Sequence, residues 1–470
     1  MNDPNGLVYF QGEYHLFYQY YPDSTVWGPM HWGHAISNDL VRWDHQPIAL
    51  YPDSLGFIFS GSAVIDHKNT SGLGTDQAPA MVAIYTYHLM EGEKAGRHDF
   101  QTQGLAYSLD RGRTWTKYSG NPVLPNPGKH DFRDPKVIWH DASKKWVMIL
   151  AVKDHVELFG STNLIDWKYL SSFGEATGAH GGVWECPDLF ELNVAGTNDS
   201  KWMMLVSINP GAPNGGSGTQ YFIGHFDGNV FQSETTETLW LDYGKDNYAG
   251  VTWSNIPAED GRRLFVGWMS NWQYAQVVPT HPWRSAMTLP RELALKRTPP
   301  GLRLASTPIH ELNSLIQAPE TLTPVLPTGS SSSSEYPLPA GALLEFTVQR
   351  TDTREDVELE LFNAQGERVL IGLTGAVNQF FVDRTQSGKT DFSTDFPGKH
   401  VAPRAMATKD VTVRIWVDAS SVEVFADDGT IAMTELYFST QPLDRFRLRG
   451  SVGTQVDSVR VSALRSIWTK

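Results

Sequence analysis

Four stretches of this chain are variants of one turn. Ser37-Asn38-Asp39-Leu40-Val41-Arg42-Trp43 is matched by Ser161-Thr162-Asn163-Leu164-Ile165-Asp166-Trp167. Ser108-Leu109-Asp110-Arg111-Gly112-Arg113-Thr114-Trp115 fills the same role, with the S-x-D-x-G-x-T-W pattern of an Asp box. Phe226-Asp227-Gly228-Asn229-Val230-Phe231 is a decayed fourth copy. The copies start at residues 37, 108, 161 and 226, so successive starts are 71, 53 and 65 residues apart. That spacing suits a four-stranded blade with its loops, and the expected architecture is a β-propeller. In each copy an Asp or Asn turn would join two outer strands, with the Trp packing between blades. The repeat is scaffold and carries no chemistry.

The strand pattern agrees. Through residue 298 short β-rich runs follow one another between Gly, Pro, Asn and Asp turns: His15–Tyr20, Met30–Ala35, Ala80–Tyr85, Trp146–Val152, Lys201–Ile208, Tyr221–His225 and Arg263–Met269. No amphipathic helix stands out. Residues 298–340 are rich in Pro, Gly and Ser, including a Ser-rich run from Thr328 to Ser334, which is linker composition. Alternating strands then resume, from Leu343–Gln349 to Val456–Ala463, with a hairpin turn at Asp427-Asp428-Gly429. The expectation is an all-β protein: a propeller over 1–298, a linker over 299–335 and a β-sandwich over 336–470.

Charge excludes several functions. With 52 Asp and Glu against 38 Lys and Arg the net charge is −14, which argues against nucleic acid and anionic membrane surfaces as partners. The single cysteine, Cys186, excludes an intrachain disulfide. No apolar run approaches the ~20 residues that span a bilayer. The sequence starts abruptly inside a motif, and a mature or trimmed form is expected. Aromatics make up 12% of residues, including 16 Trp; most fill the β core, and some suit the apolar C–H faces of sugars.

Three isolated acids occupy odd settings. Asp3 lies in Met1-Asn2-Asp3-Pro4-Asn5-Gly6, which reads locally as a turn followed at once by an aromatic strand. Asp134 lies in Phe132-Arg133-Asp134-Pro135-Lys136, and Glu185 in Trp184-Glu185-Cys186-Pro187-Asp188. Together they form a candidate acid, nucleophile and stabiliser set. Other features carry less. His31 and His34 do not share a face in a β context and have no third ligand, so neither metal nor cofactor is expected. Gly211–Gly218 lacks the Lys-Ser/Thr of a phosphate loop and reads as a long loop at a pocket rim. His180-Gly181-Gly182 reads as structural or as part of the rim rather than as catalytic.

These three blocks resemble the signature blocks of glycoside hydrolase family 32, the β-fructofuranosidases. So do Phe57-Ile58-Phe59-Ser60-Gly61-Ser62, Gly267-Trp268-Met269-Ser270-Asn271-Trp272, Trp283-Arg284, Pro290-Arg291-Glu292-Leu293 and Val417–Phe425. The likeness covers nearly the whole chain and is greatest to bacterial levanases. It implies a five-bladed propeller followed by a sandwich. The family also carries a Trp directly before the position of Met1, after a segment resembling R-P-x-[FY]-H. This chain shows neither.

The resemblance implies roles for each acid. Asp3 would be the nucleophile, attacking the anomeric C2 of a terminal β-fructofuranosyl unit. Neighbouring amides and Asn2 would keep its pKa low. Glu185 would be the acid/base, with Trp184, Cys186 and Pro187 as an apolar wall and nearby acids adding like charge. Retention of configuration requires the two carboxyls about 5–5.5 Å apart. Asp134 would stabilise the transition state, kept ionised by Arg133. Asn2, Gln19, Trp27, Phe59, Ser60 and Arg133 would contact the sugar, with Tyr248 and Trp268 completing the site. The implied activity is exo-hydrolysis of levan, with inulin and sucrose as further substrates, by a monomeric, extracellular enzyme. Alternatives are a cytoplasmic location, an endo-levanase, an invertase, a fructosyltransferase, a non-catalytic fructan-binding protein and, from the Asp box alone, a sialidase. The sandwich is expected to cover and steady the propeller.

Overall fold

Residues 4–308 form five antiparallel sheets, each built from consecutive strands. The computed structural model describes residues 1–75, 78–324, 326 and 334–468; residues 328–333 of the Ser-rich run lie outside them. The first strands of the five sheets are Pro4–Phe10, Phe57–Asp66, Phe132–His140, Val183–Asn193 and Tyr248–Thr252. They touch one another in this order and close into a ring, which makes the sheets blades around a central axis. Closure is noncovalent. Val8 bridges Ser254 in parallel, with Ser254 N–H donating to Leu7 O at 2.8 Å and Tyr9 N–H to Ser254 O at 3.0 Å.

The repeated turns sit where their spacing puts them, between the third and fourth strands of the first four blades. Asp39 accepts from the N–H of Val41 and Arg42, Asn163 from Ile165 and Asp166, Asp110 from Thr114, and Asp227 from Asn229 and Val230. The Trp of each full copy donates its indole N–H back into its own turn and packs across a blade boundary. Trp43 stacks on Trp253 of the fifth blade, and Trp115 meets Phe17 of the first. Second strands such as Ala80–His88 are buried on both faces, which is why they read as continuous apolar runs.

Inner strands are different. Each contains a register shift near its start: Asn5/Val8, Ile58/Gly61, opposite Ile149/Ala151, Glu185/Asp188 and Tyr248/Val251. Four of the five place a residue there at positive φ: Gly6 at 53°, Asp134 at 64°, Cys186 at 44° and Ala249 at 53°. Such bulges re-aim side chains, and here they lie at the same end of the ring. The N-terminal hexapeptide is therefore a strand start with a bulge, not an exposed turn. Gly6 is required there, because a Cβ would meet the rings of Phe17 and Trp32 at 2.7 and 2.8 Å. Pro4 occupies the first strand position, and Pro135 and Pro187 lie in bulges, where the missing N–H costs no ladder bond.

The fifth blade runs through Gly301–Pro308, into the stretch expected to be linker. Two six-stranded sheets follow. One has the spatial order Glu320–Leu322, Gln455–Ala463, Ala342–Gln349, Val411–Val417, Ser421–Ala426, Ile431–Leu436. The other runs Tyr336–Pro337, Arg445–Gly450, Val357–Phe362, Arg368–Thr374, Gln379–Asp383, Lys399–Pro403. Their facing residues form one apolar core, among them Leu344, Leu361, Ile415 and Phe446. Helix is confined, among the described residues, to Met90–Lys94 and three short 3-10 turns, and no described helix is long and apolar enough to cross a membrane.

Propeller and sandwich meet in a seam that buries charge. Arg291 of the fifth blade donates to Asp242 at 2.8 Å and to Glu423 of the sandwich at 2.6 Å. Arg384 of the sandwich reaches Asp246 of the propeller at 2.5 Å and Glu435 at 3.0 Å. Main-chain bonds add to these, from Tyr243 N–H to Ala432 O and from Asp246 N–H to Thr434 O.

Candidate active site

The bulged strand starts bring the three acids together at one end of the propeller axis. Asp3, just before the first inner strand, accepts from Asn2 Nδ2 at 3.0 Å and from Ser60 Oγ at 2.8 Å. Ser60 comes from the second blade's inner strand. Asp134, on the third, accepts from the Cys186 N–H at 3.0 Å. The Cys186 thiol lies between two acids, 3.6 Å from both Asp3 Oδ2 and Asp134 Oδ2. Glu185, on the fourth, accepts from Arg133 at 2.8 Å through Oε1 and from the Tyr248 hydroxyl through Oε2. Tyr248 stands on the fifth inner strand, so every blade contributes. Below the acids, buried Lys136 donates to Asp188 at 3.1 Å and to Thr252 O at 2.6 Å. That ties the third, fourth and fifth inner strands together.

Electrostatics differ from the sequence expectation at two of the acids, Asp3 and Asp134. Asp3 is not held low. Burial pushes its carboxyl above the usual range, opposed by the Asn2 hydrogen bond and reinforced by the Glu185 charge, with Ser60 pulling it back. Asp134 is pushed up to about 7, first by burial; Arg133 opposes this, while Glu185 and Asp3 add to it. Arg133 is the only cation in the group. Burial lowers its pKa, but Glu185, Asp134 and Asp131 outweigh that and raise it. Its closest bonds go to Asp131 and Glu185, and its Nε is 3.9 Å from Asp134. Burial and then the Asp134 charge drive the Cys186 thiol far up, so it stays protonated.

The three acids line a pocket of about 280 Å³. Asn2, Gln19, Phe59, Ser60 and Arg133 stand on its wall. Gln19 is fixed by its Nε2, which donates to Ile58 O at 3.0 Å. Phe59 is backed by the His88 ring, stacked 4.2 Å away. Trp27 also lines the pocket, from a loop rather than a strand; it is 37% exposed and meets Phe59 edge to face. Tyr248 and Trp268 are not on the wall of this pocket, although Trp268 lines an adjoining cavity that shares Asn2, Trp27 and Trp272 with it. Both are 1% exposed; Tyr248 acts on Glu185, and Trp268 packs on Trp272 at 4.7 Å. Trp184 is no wall for Glu185 either. Strand alternation turns it to the opposite face, against His180 and Phe222.

Two lining residues escaped the sequence, Asn209 and Trp272. Trp272 ends the Gly267–Trp272 block, so a signal existed. Asn209 closes the strand Ser200–Asn209, and nothing local marks it. Of the rejected candidates, His34 Nε2 faces His15 Nδ1 at 3.0 Å inside the first blade.

Comparison with known proteins agrees with this architecture. The glycosyl hydrolases family 32 N-terminal domain matches residues 1–308, and the family 32 C-terminal domain matches residues 311–463. A levanase of Bacillus subtilis is 48% identical over 482 residues, covering 100% of this chain and 69% of the levanase. An extracellular exo-inulinase of Aspergillus niger is 39% identical over 519 residues, covering 100% and 93%. Among solved structures, the exo-inulinase of Aspergillus awamori superposes with a TM-score of 0.91 at 37% identity, covering 100% of this chain and 96% of that one. A Schwanniomyces occidentalis fructofuranosidase with bound fructose gives 0.88 at 33%, covering 99% and 96%. Two family domains laid end to end along the sequence, over a propeller with three acids at its axis, make this chain a glycoside hydrolase and a member of family 32.

Proposed function

We propose that the protein is a retaining exo-β-fructosidase that releases fructose from the non-reducing ends of fructans. The observation that carries this is the pocket: three carboxylates at the starts of three inner strands line one cavity of about 280 Å³ together with the polar side chains of Asn2, Gln19, Ser60 and Arg133. The names of the levanase and exo-inulinase relatives support the substrate class.

In this mechanism the Asp3 carboxylate attacks the anomeric C2. The C2–O bond to the leaving sugar breaks, and Glu185 gives its proton to that oxygen. Water then attacks C2 of the fructosyl-enzyme, Glu185 takes the water's proton, and Asp3 leaves. Arg133 and Tyr248 hold Glu185 at both oxygens. Asp134 faces the ring hydroxyls. The free pocket crowds more negative charge than Arg133 balances, and the positive charge that develops on the ring relieves that crowding. The stabilisation is therefore greatest in the transition state. The relatives named extracellular support action outside the cell. The chain divides functionally into a catalytic propeller and a supporting sandwich.

The test is a time course on purified levan with products resolved by chain length. Free fructose as the sole early product is expected. Early oligosaccharides would replace the exo reading with an endo one, and binding without turnover would make the chain a fructan-binding protein.

A further inference from the structure

Asn209 and Trp272, the two pocket residues that the sequence did not reveal, share a property. Each sits at the pocket end of a loop whose other end is fastened to the sandwich. The Gly-rich loop begins at Asn209. Five residues on, Asn214 Nδ2 donates to Val401 O of the sandwich at 3.0 Å and to Tyr243 O at 2.7 Å, and Val401 N–H donates to Asn214 Oδ1 at 3.1 Å. The second loop holds Trp272. Two residues on, the buried Tyr274 hydroxyl accepts from Arg384 of the sandwich at 2.8 Å and donates to Asp246 at 2.6 Å. The Tyr274 ring packs on Phe396 of the sandwich at 5.2 Å, and the Arg384 guanidinium covers Phe396 at 4.0 Å.

The two loops also lock each other. Trp272 N–H donates to Ser217 Oγ at 3.2 Å, and a Cβ on Gly216, which holds φ 70°, would lie 2.2 Å from the Asn271 side chain. The second loop reaches one step further around the rim, where Gln276 Oε1 accepts from the Trp27 N–H at 3.2 Å.

These residues stand on the leaving-group side. The proton donor must reach the glycosidic oxygen, so the departing sugar lies beside Glu185. Glu185 pairs with Ser207 across the fourth blade, and Asn209 pairs with Val183. Asn209 thus lies two residues beyond Ser207 on the same face, next to the acid at its outer end. Trp272 comes from the fifth blade, which lies between the fourth and the first in the ring, and it also borders a cavity lined by Asn2 and Trp27. The residues that grip the terminal ring, Asn2, Gln19, Ser60 and Arg133, come instead from the first three blades.

From this placement we infer that the sandwich sets substrate preference: through Asn214 and Tyr274 it positions Asn209 and Trp272, which shape the subsite for the leaving sugar. Asn214 and Tyr274 are positioning residues, and the inference rests on the exo-fructosidase reading. Sucrose, inulin-type and levan-type oligosaccharides suit the test, because they share the terminal fructosyl ring and differ in what leaves. Asn214→Ala and Tyr274→Phe are measured for kcat/KM on each, with Tm alongside. The expected result is a change of about threefold or more in the ratios of kcat/KM between substrates, in both variants or in whichever folds. A purely structural role would lower Tm and reduce all three substrates by the same factor, and that result overturns the inference. Wild-type protein inactive on all three would overturn the function beneath it as well.

Discussion

At the seam between propeller and sandwich, Asp242 and Glu423 face Arg291, and Asp246 and Glu435 face Arg384. At the pocket floor one cation, Arg133, pairs with Glu185 and lies 3.9 Å from Asp134, while Asp3 is held by neutral donors, Asn2 and Ser60. Both regions take carboxylates out of water, the seam more completely than the pocket, where Glu185 keeps 20% of its side chain exposed. The seam offsets that cost locally. Although burial pushes Asp242 up, Arg291, Thr434 and Asn247 together hold it below the usual carboxylate range. Glu423 has fewer donors, and there burial wins over Arg291 and raises it. At the pocket the offset is left incomplete, and Asp134 is pushed up to about 7. The difference separates a cluster that holds two domains together from one that is completed by its substrate.

The sharpest break in that comparison is chemical. Asp3→Asn and Glu185→Gln are expected to lower kcat by at least about 10³-fold, read by fructose release, with no loss of thermal stability. Arg291→Met should do the reverse. It strands Asp242 and Glu423 without a cation, and a loss of about 3–5 kcal/mol in urea unfolding, or no soluble protein, is expected. Residual turnover per folded molecule should stay within a few-fold of wild type.

A pH titration sharpens the contrast. The Asp134 carboxyl has its folded pKa raised from 3.8 to about 7. Between those values the folded state keeps a proton that the unfolded chain has lost. Its stabilising contribution is therefore full below about pH 4 and is lost as pH rises through about 7. Asp242 has its folded pKa depressed, so its contribution is present above the ordinary carboxylate pKa and is lost as pH falls through the depressed value. The smallest effect belongs to the scaffold. Asp110→Ala removes the bonds to Thr114 and should cost on the order of 1 kcal/mol in thermal unfolding, leaving kcat unchanged.

The same contrast explains what the sequence reveals. The blade turns are legible because Asp39, Asp110 and Asn163 bond main-chain groups within a few residues, so their pattern is local. Second strands are legible because they are buried on both faces, and Arg263–Met269 appears with the bounds expected of it. Inner strands are less so, apart from the aromatic run that ends the first of them at Phe10. Phe132–His140, Val183–Asn193 and Tyr248–Thr252 carry bulges, prolines and polar residues that break the alternation, for the same reason that they hold the site. The acids stood out by their Pro and Trp neighbours and by family resemblance, whereas the low pKa expected for Asp3 overlooked a desolvation cost that its hydrogen bonds do not offset. The seam is invisible in sequence, since Arg291 and Glu423 are 132 residues apart. Asn209 escaped because its role depends on where a distant loop is fastened.

One measurement tests the contrast most directly: unfolding free energy of Asp134→Asn and Asp242→Asn against pH, from 4 to 8. Asp134→Asn should be more stable than wild type at pH 8, by on the order of 1–4 kcal/mol, and the gain should fade toward pH 4. Asp242→Asn should be less stable at pH 8, by about 3–5 kcal/mol. Opposite signs are the predicted result. Losses of the same sign and size at pH 8 would contradict it, because the pocket acids would then be structural charges like those of the seam.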